Sequence, residues 1–345
     1  MPGKIFNIVL LTAFVSAVYS QTGGDNVYEF LNLTPSGLVS SLGGATVSLP
    51  AENLNTAYHN PALLDKESAG CLALNYSNYL AGINYGMAIY SFSLQGAGNL
   101  AAGITYLNYG SFVESNASGV VTGTFTAAEY ALNVIYSWQP DSMFSFGINF
   151  KPVLSHLEKY TSLGVAFDIG AAWHSRNKLI SAGLTIRNAG FQITRYAGEP
   201  GQKLPFEILA GTTAKLAHAP LRFSLTARHL EKFDLTWDYE TDTPGDSHRT
   251  SGSFSDNLLR HFIAGVELIP HRNFYFSAGY NHQRRQELKT TYIASSAGLS
   301  WGFGINTTIL DLEYGRAVYH PAISSDNISL IVRPYLLYKK LSKLD

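Results

Sequence analysis

Gly298-Leu299-Ser300-Trp301-Gly302 matches the Gly-x-Ser-x-Gly pattern of serine hydrolases, in which a sharp strand-to-helix turn raises the serine hydroxyl toward a general base. The flanking residues argue against that turn. Ala297, Leu299, Trp301 and Phe303 alternate with Gly298, Ser300 and Gly302, the pattern of a single strand. The 10 histidines are scattered, with no His-Glu-x-x-His and no same-face pair to hold zinc. Gly96, Gly98 and Gly103 do not make a dinucleotide fingerprint. Between residues 230 and 261, Asp234, Asp238, Glu240, Asp242, Asp246 and Asp256 stand beside Arg249 and Arg260. Such carboxylates suit hard cations, but their spacing matches no EF-hand loop. The expectation is a protein that is not an enzyme and carries no cofactor or metal.

A second set of charges is more informative because of where it falls. Asp168, Arg187, Lys215, Arg222, Arg228, Glu267, Asp311, Glu313 and Arg333 all lie within or beside stretches that alternate bulky apolar residues with small or polar ones. In 143–154, Phe144, Phe146, Ile148 and Phe150 oppose Ser145, Gly147, Asn149 and Lys151. In 163–174, Leu163, Val165, Phe167, Ile169, Ala171 and Trp173 oppose Gly164, Ala166, Asp168, Gly170 and His174. A period of two with one apolar face is a strand signal. If that face meets lipid, the charges must point the other way, since Arg or Lys at the bilayer midplane costs about 2–4 kcal/mol. They then pair with one another or with a plug, forming a network inside a lumen.

About fourteen such stretches follow one another from residue 71 to residue 336. An even number returns both ends of an antiparallel barrel to the same side, as in single-chain bacterial outer-membrane proteins. Short connectors at 139–142, 175–178, 217–220, 270–272 and 305–307 interleave with longer ones at 110–129, 155–162, 189–205, 230–261, 283–296 and 315–327. Short periplasmic turns and longer outer loops are expected to alternate in this way, apart from a short first outer loop near 79–82. Composition agrees. Charged residues are 14% of the 345, below the roughly 25% of soluble domains. Mean hydropathy is only +0.02, because barrel strands place apolar residues at every second position. The net charge of −1 gives no nucleic-acid signature. The fold expected is all-β, a 14-stranded antiparallel transmembrane barrel in the bacterial outer membrane.

Residues 1–20 read as a secretory signal, with Lys4 before an apolar run and Ala17-Val18-Tyr19-Ser20 as the cleavage region. Cys71, the only cysteine, lies well beyond that site, so no intramolecular disulfide or signal-site lipoprotein cysteine is available. Residues 21–69 show no sustained alternation, yet are too apolar for a disordered tail. They read as a hatch inserted into the barrel of 70–340, with 341–345 as a C-terminal tail.

The hatch segment carries a resemblance. Asp25-Asn26-Val27-Tyr28-Glu29-Phe30-Leu31-Asn32-Leu33, Leu42-Gly43-Gly44-Ala45 and Asn60-Pro61-Ala62-Leu63-Leu64, ahead of about fourteen strands, resemble the PorQ family of the Bacteroidetes type IX secretion system. More broadly the chain resembles the PorV and FadL-like barrels. Gly43, Gly44, Asn60 and Pro61 belong to pieces shared by that wider group, while Tyr28, Phe30 and Leu31 belong to the opening that points to PorQ. The resemblance implies a non-catalytic barrel of the attachment complex. There it would anchor a PorZ-like surface protein beside PorU- and PorV-like components, so that cargo is processed and joined to lipopolysaccharide. Asp238, Glu240, Asp242, Asp246 and Arg249 of the longest outer loop are the candidate docking residues. The alternative is a FadL-like transporter of hydrophobic small molecules. A transporter calls for an apolar pocket between hatch and wall, whereas inward charge pairs favour a closed lumen.

Overall fold

The computed structural model describes residues 26–50, 53–79, 82–94, 96–236, 254–288, 296–320 and 323–341. The signal region and the five docking candidates from Asp238 to Arg249 lie outside these residues.

Fourteen strands form, and they close into one antiparallel barrel in sequence order. They are β1 (Leu72–Asn78), β2 (Asn84–Leu94), β3 (Gly98–Ser115), β4 (Val121–Trp138), β5 (Phe144–Leu157), β6 (Tyr160–His174) and β7 (Ile180–Thr194). The second half comprises β8 (Glu207–Lys215), β9 (Leu221–Ala227), β10 (Phe262–His271), β11 (Phe274–Asn281), β12 (Leu299–Asn306), β13 (Leu310–His320) and β14 (Ile323–Val332). Closure runs from Leu72↔Val332 to Asn78↔Asp326, leaving no sheet edge. Residues 26–69 precede the wall and carry helices α1 (Gly37–Ser41) and α2 (Thr56–His59). Helices α3 (Phe254–Arg260) and α4 (His282–Leu288) belong to outer connectors, and α5 (Pro334–Leu341) follows β14.

The alternation points the apolar residues outward. On β5, Phe146 is 45% exposed while Lys151 is fully buried; on β6, Ile169 is 54% exposed while Asp168 is fully buried. Leu74, Ile104, Leu132, Leu184, Phe223, Phe276, Trp301 and Ile328 continue that outward band around the wall. A soluble fold of this size would cover such a band, whereas a transmembrane barrel presents it to lipid.

The connectors differ from the expected sorting. Residues read as long loops at 110–129, 155–162 and 315–327 are largely strand, because β3–β4, β5–β6 and β13–β14 continue as paired hairpins past the apolar band. Polar strand ends above a membrane need no apolar face, so the period-two signal fades there while the ladder continues. At the other end, β14 stops at Val332 and does not reach residue 336. Pro334 lacks an amide proton for a ladder and takes the first turn of α5 instead.

Two local features shape the lumen. The β4–β5 ladder pairs Ala131 with Val153 and Val134 with Phe150, skipping the residues between, where Pro152 offers no N–H. In β7, register shifts between the partners of Phe167 and Ile169, and Asn188 adopts a left-handed φ of 54°. This bulge turns Arg187 and Asn188, neighbours in sequence, both into the lumen, where both are buried.

Candidate functional site: the hatch and the lumen

The hatch crosses the barrel interior and is held by strands from both halves of the wall. Gly37 donates its amide to Ser329 Oγ at 2.9 Å, and Ser41 Oγ meets Ser277 Oγ at 2.6 Å. Ser48 Oγ meets Thr213 Oγ1 at 2.8 Å, and Ser181 donates to the Ser48 carbonyl at 2.6 Å. Asn75 donates to Asn55 Oδ1, Asn281 to the Gly43 carbonyl and Asn327 to Ser40 Oγ. The bonds to the Gly37 amide and to the Ser48 and Gly43 carbonyls satisfy buried backbone groups of an irregular segment, and the others join side chain to side chain.

Small wall residues let that backbone approach. A Cβ added to Gly183 would sit 1.9 Å from the Val47 carbonyl oxygen, and one on Gly315 would sit 2.0 Å from the Gly37 oxygen. Ser300, the serine of the Gly-x-Ser-x-Gly sequence, lies on the inner face of β12 and donates to the Ser41 carbonyl at 2.8 Å. Its hydroxyl is a hatch contact.

The motifs that carry the resemblance are hatch anchor points. Tyr28 has a φ of 62°, and its hydroxyl meets Ser162 Oγ at 2.5 Å. Phe30 and Leu31 are buried in an apolar cluster with Tyr85, Leu107, Val153 and Leu204. Gly43 and Gly44 turn the chain after α1 with φ near 100°, a conformation that favours glycine. Asn60 caps the turn at Pro61 by accepting from the Ala62 amide, while its own amide donates to the Val47 carbonyl at 2.8 Å.

The inward charges sort into three levels. At the centre, Lys151 pairs with Asp168 at 2.7 Å and also donates to Asn188 Oδ1 at 2.7 Å. The bulge makes Asn188 a junction: its backbone amide donates to Asp168, and its side chain donates to Asn32 and to the Pro205 carbonyl. Arg187 donates to the Leu31 carbonyl at 2.9 Å and lies over the Tyr58 ring, facing Glu207 at 3.8 Å. His59 Nε2 lies 2.9 Å from Thr34 Oγ1, a bond within the hatch.

Toward the outside, Arg228 joins the same Glu207 at 2.8 Å. Toward the end with the short turns, Glu267 pairs with Arg222, Asp311 pairs with Arg333 at 2.8 Å, and Glu313 accepts from the Leu38 amide and Asn53 of the hatch. Lys215 lines the cavity at that end. Lys151, Glu207, Asn188 and Tyr58 were not among the sequence candidates. Lys151 and Glu207 stand on the inward beat of their strands and were open to the same reasoning; the Asn188 bulge breaks that beat.

Two vestibules flank the hatch. The outer one, of about 530 Å³, is lined by Glu29, Tyr79, Arg228, Glu231, Arg284 and Tyr319 among others. The inner one, of about 560 Å³, is lined by Asp65, Glu67, His174, Lys178, Lys215 and Arg222 among others. Both walls mix charged, amide and aromatic groups. Between them lie the fully buried Tyr58, Lys151, Arg187 and Leu31.

No family model matches the chain, and no curated protein matches it. Solved structures do. The TodX monoaromatic hydrocarbon channel carrying the deltaS2 mutation superposes with a TM-score of 0.52 at 12% identity, covering 87% of this chain and 98% of that one. The Pseudomonas putida toluene transporter TodX gives 0.50, again at 12% identity with 87% and 98% covered. The deltaS2S3 mutant gives 0.50 at 11% identity, with 86% and 97% covered. The chain is thus similar in fold to TodX over most of its length.

Proposed function

We propose that this chain is a non-catalytic outer-membrane barrel whose lumen stays sealed and whose work is done by the surface it presents outside the cell. One observation carries this reading: the hatch fills the centre of the lumen, where Arg187 holds the Leu31 carbonyl and Asn188 holds Asn32, both wall residues being fixed in turn by the buried pairs Arg187–Glu207 and Lys151–Asp168. Withdrawing the hatch would strip those buried groups of hydrogen-bond partners, at about 1–3 kcal/mol for each one left unsatisfied. A scaffold tolerates that lock. The hairpins β3–β4 and β5–β6, rising past the apolar band, supply a rigid outer rim on which a partner can rest. Taken with the hatch resemblance, this supports anchoring of a PorZ-like surface protein in the attachment complex of a type IX secretion system, beside PorU- and PorV-like components and lipopolysaccharide. None of the solved structures reported above belongs to such a complex, so this assignment rests on the sequence resemblance.

Transport of hydrophobic small molecules is the second reading, and the likeness to the toluene transporter TodX favours it. It requires the hatch to move. The two readings separate on purification of the intact protein from its own outer membrane in mild detergent. Recovery of a large surface protein at constant stoichiometry supports the anchor. Recovery of a bound apolar small molecule without protein, with toluene uptake by vesicles holding the purified barrel, overturns it in favour of transport.

A further inference from the structure

β14 ends at Val332, which pairs with Leu72 of β1 on one side and Leu310 of β13 on the other. The next residue is pinned: the Arg333 amide donates to the Ile309 carbonyl at 2.8 Å, and its guanidinium holds Asp311 and the Thr307 carbonyl. The direction in which α5 leaves the periplasmic rim is therefore fixed by the wall. Along α5, Tyr335 is 71% and Tyr338 is 73% exposed, with Leu336 and Leu337 at 38% and 40%. Four consecutive bulky residues cover more than one face of an eight-residue helix, and the described chain leaves all four exposed. A helix this short is marginal in water without an apolar surface to lie against.

That surface is continuous with the wall. Leu310 and Leu312 of β13, Ile328 of β14 and Leu74 of β1 present their side chains outward beside the strand end from which α5 departs. Eight residues are too few to cross a bilayer. The composition instead suits the headgroup layer: two tyrosines, two leucines and, in sequence, Lys339 and Lys340, where aromatic rings sit at the interface and lysines meet lipid phosphates.

We propose that α5 is an interfacial anchor, lying in the headgroup region of the periplasmic leaflet and continuing the lipid-facing band of β13, β14 and β1. The proposal rests on the membrane-barrel architecture and is independent of whether the barrel anchors a partner or transports.

The test uses the full mature chain refolded into vesicles of phosphatidylcholine with one-fifth phosphatidylglycerol, in a Cys71→Ser background. A nitroxide is attached at Tyr338→Cys, with Arg176→Cys in the periplasmic turn after β6 as the aqueous reference. Collision with a water-soluble nickel chelate should fall several-fold at the first site relative to the second. Adding Leu336→Asp and Leu337→Asp should restore it, while heat-modifiable migration reports an intact barrel. Equal nickel accessibility at the two sites would overturn the proposal. So would protection accompanied by spin–spin broadening, which would identify a second copy as the cover.

Discussion

The backbone amide of Asn188, freed from its ladder by the β7 bulge, donates to the carboxylate of Asp168 at 2.8 Å. A backbone irregularity in the wall thus stabilises the negative partner of the central ion pair. The hatch, the bulge and the charges form one structure, and each can be perturbed separately.

The bulge comes first. Asn188 holds a φ of 54°, which glycine adopts freely and alanine resists. Asn188→Gly should lose only side-chain bonds, whereas Asn188→Ala should add backbone strain of about 1–2 kcal/mol. Urea unfolding in detergent should therefore rank wild type above the glycine variant and the glycine variant above alanine. Reversal of the last two would mean that the left-handed residue does not set the bulge.

The central pair responds to which partner is removed. Asp168→Ala leaves Lys151 buried without its counter-ion, and the expected loss is about 3–5 kcal/mol. Replacing both, with Lys151→Met and Asp168→Leu, should recover part of it, the Asn188 amide being left without its acceptor. A double-mutant cycle with no coupling would show that the two charges act independently.

A seat for the hatch can be filled from the wall side. Gly183→Val places its Cβ where the Val47 carbonyl now lies, 1.9 Å away, so the hatch must shift while β7 keeps its ladder. Planar-bilayer recordings should show larger or more frequent openings than wild type. Unchanged conductance with an intact barrel would indicate that the hatch can reseat around the new side chain.

How much of this was legible beforehand differs between wall and plug. The strands and their inward polar residues follow from Phe146, Ile148 and Phe150 opposing Asn149 and Lys151 and from the same alternation repeated along the chain, because a lipid-facing wall imposes a period of two. The hairpin ends around Phe112 and Phe125 obey no such constraint, so their sequence reads as loop although the rings stack at 5.2 Å across a ladder. Asp168 and Arg187 are legible as inward charges; that they meet through Asn188 is not, because a bulge changes the face of every residue beyond it. The docking candidates from Asp238 to Arg249 lie outside the described residues.

pH offers a separate probe on the periplasmic side. Burial pushes the Asp65 carboxyl up to about 6 from its ordinary 3.8, against the opposing bonds from the Ser68 amide and hydroxyl at 3.0 Å. The folded chain then holds this proton more tightly than the unfolded one. Stability from this group is fully present below about pH 4, falls as pH rises toward 6 and is level above it. Asp65→Asn should flatten that slope in urea midpoints taken from pH 4 to 8. Parallel curves for the two proteins would assign the slope to other groups.

The inward glycines also bear on how closely wall and hatch are matched. Gly147, Gly183, Gly279 and Gly315 leave spaces that the hatch fills, at Pro61, Val47, Leu42 and Gly37, and they sit on β5, β7, β11 and β13. The seam between β1 and β14 joins the two ends of the wall, and the hatch leads straight into β1 beside it. Wall and hatch are therefore matched parts: each notch in the cylinder is the negative of a stretch of the N-terminal chain.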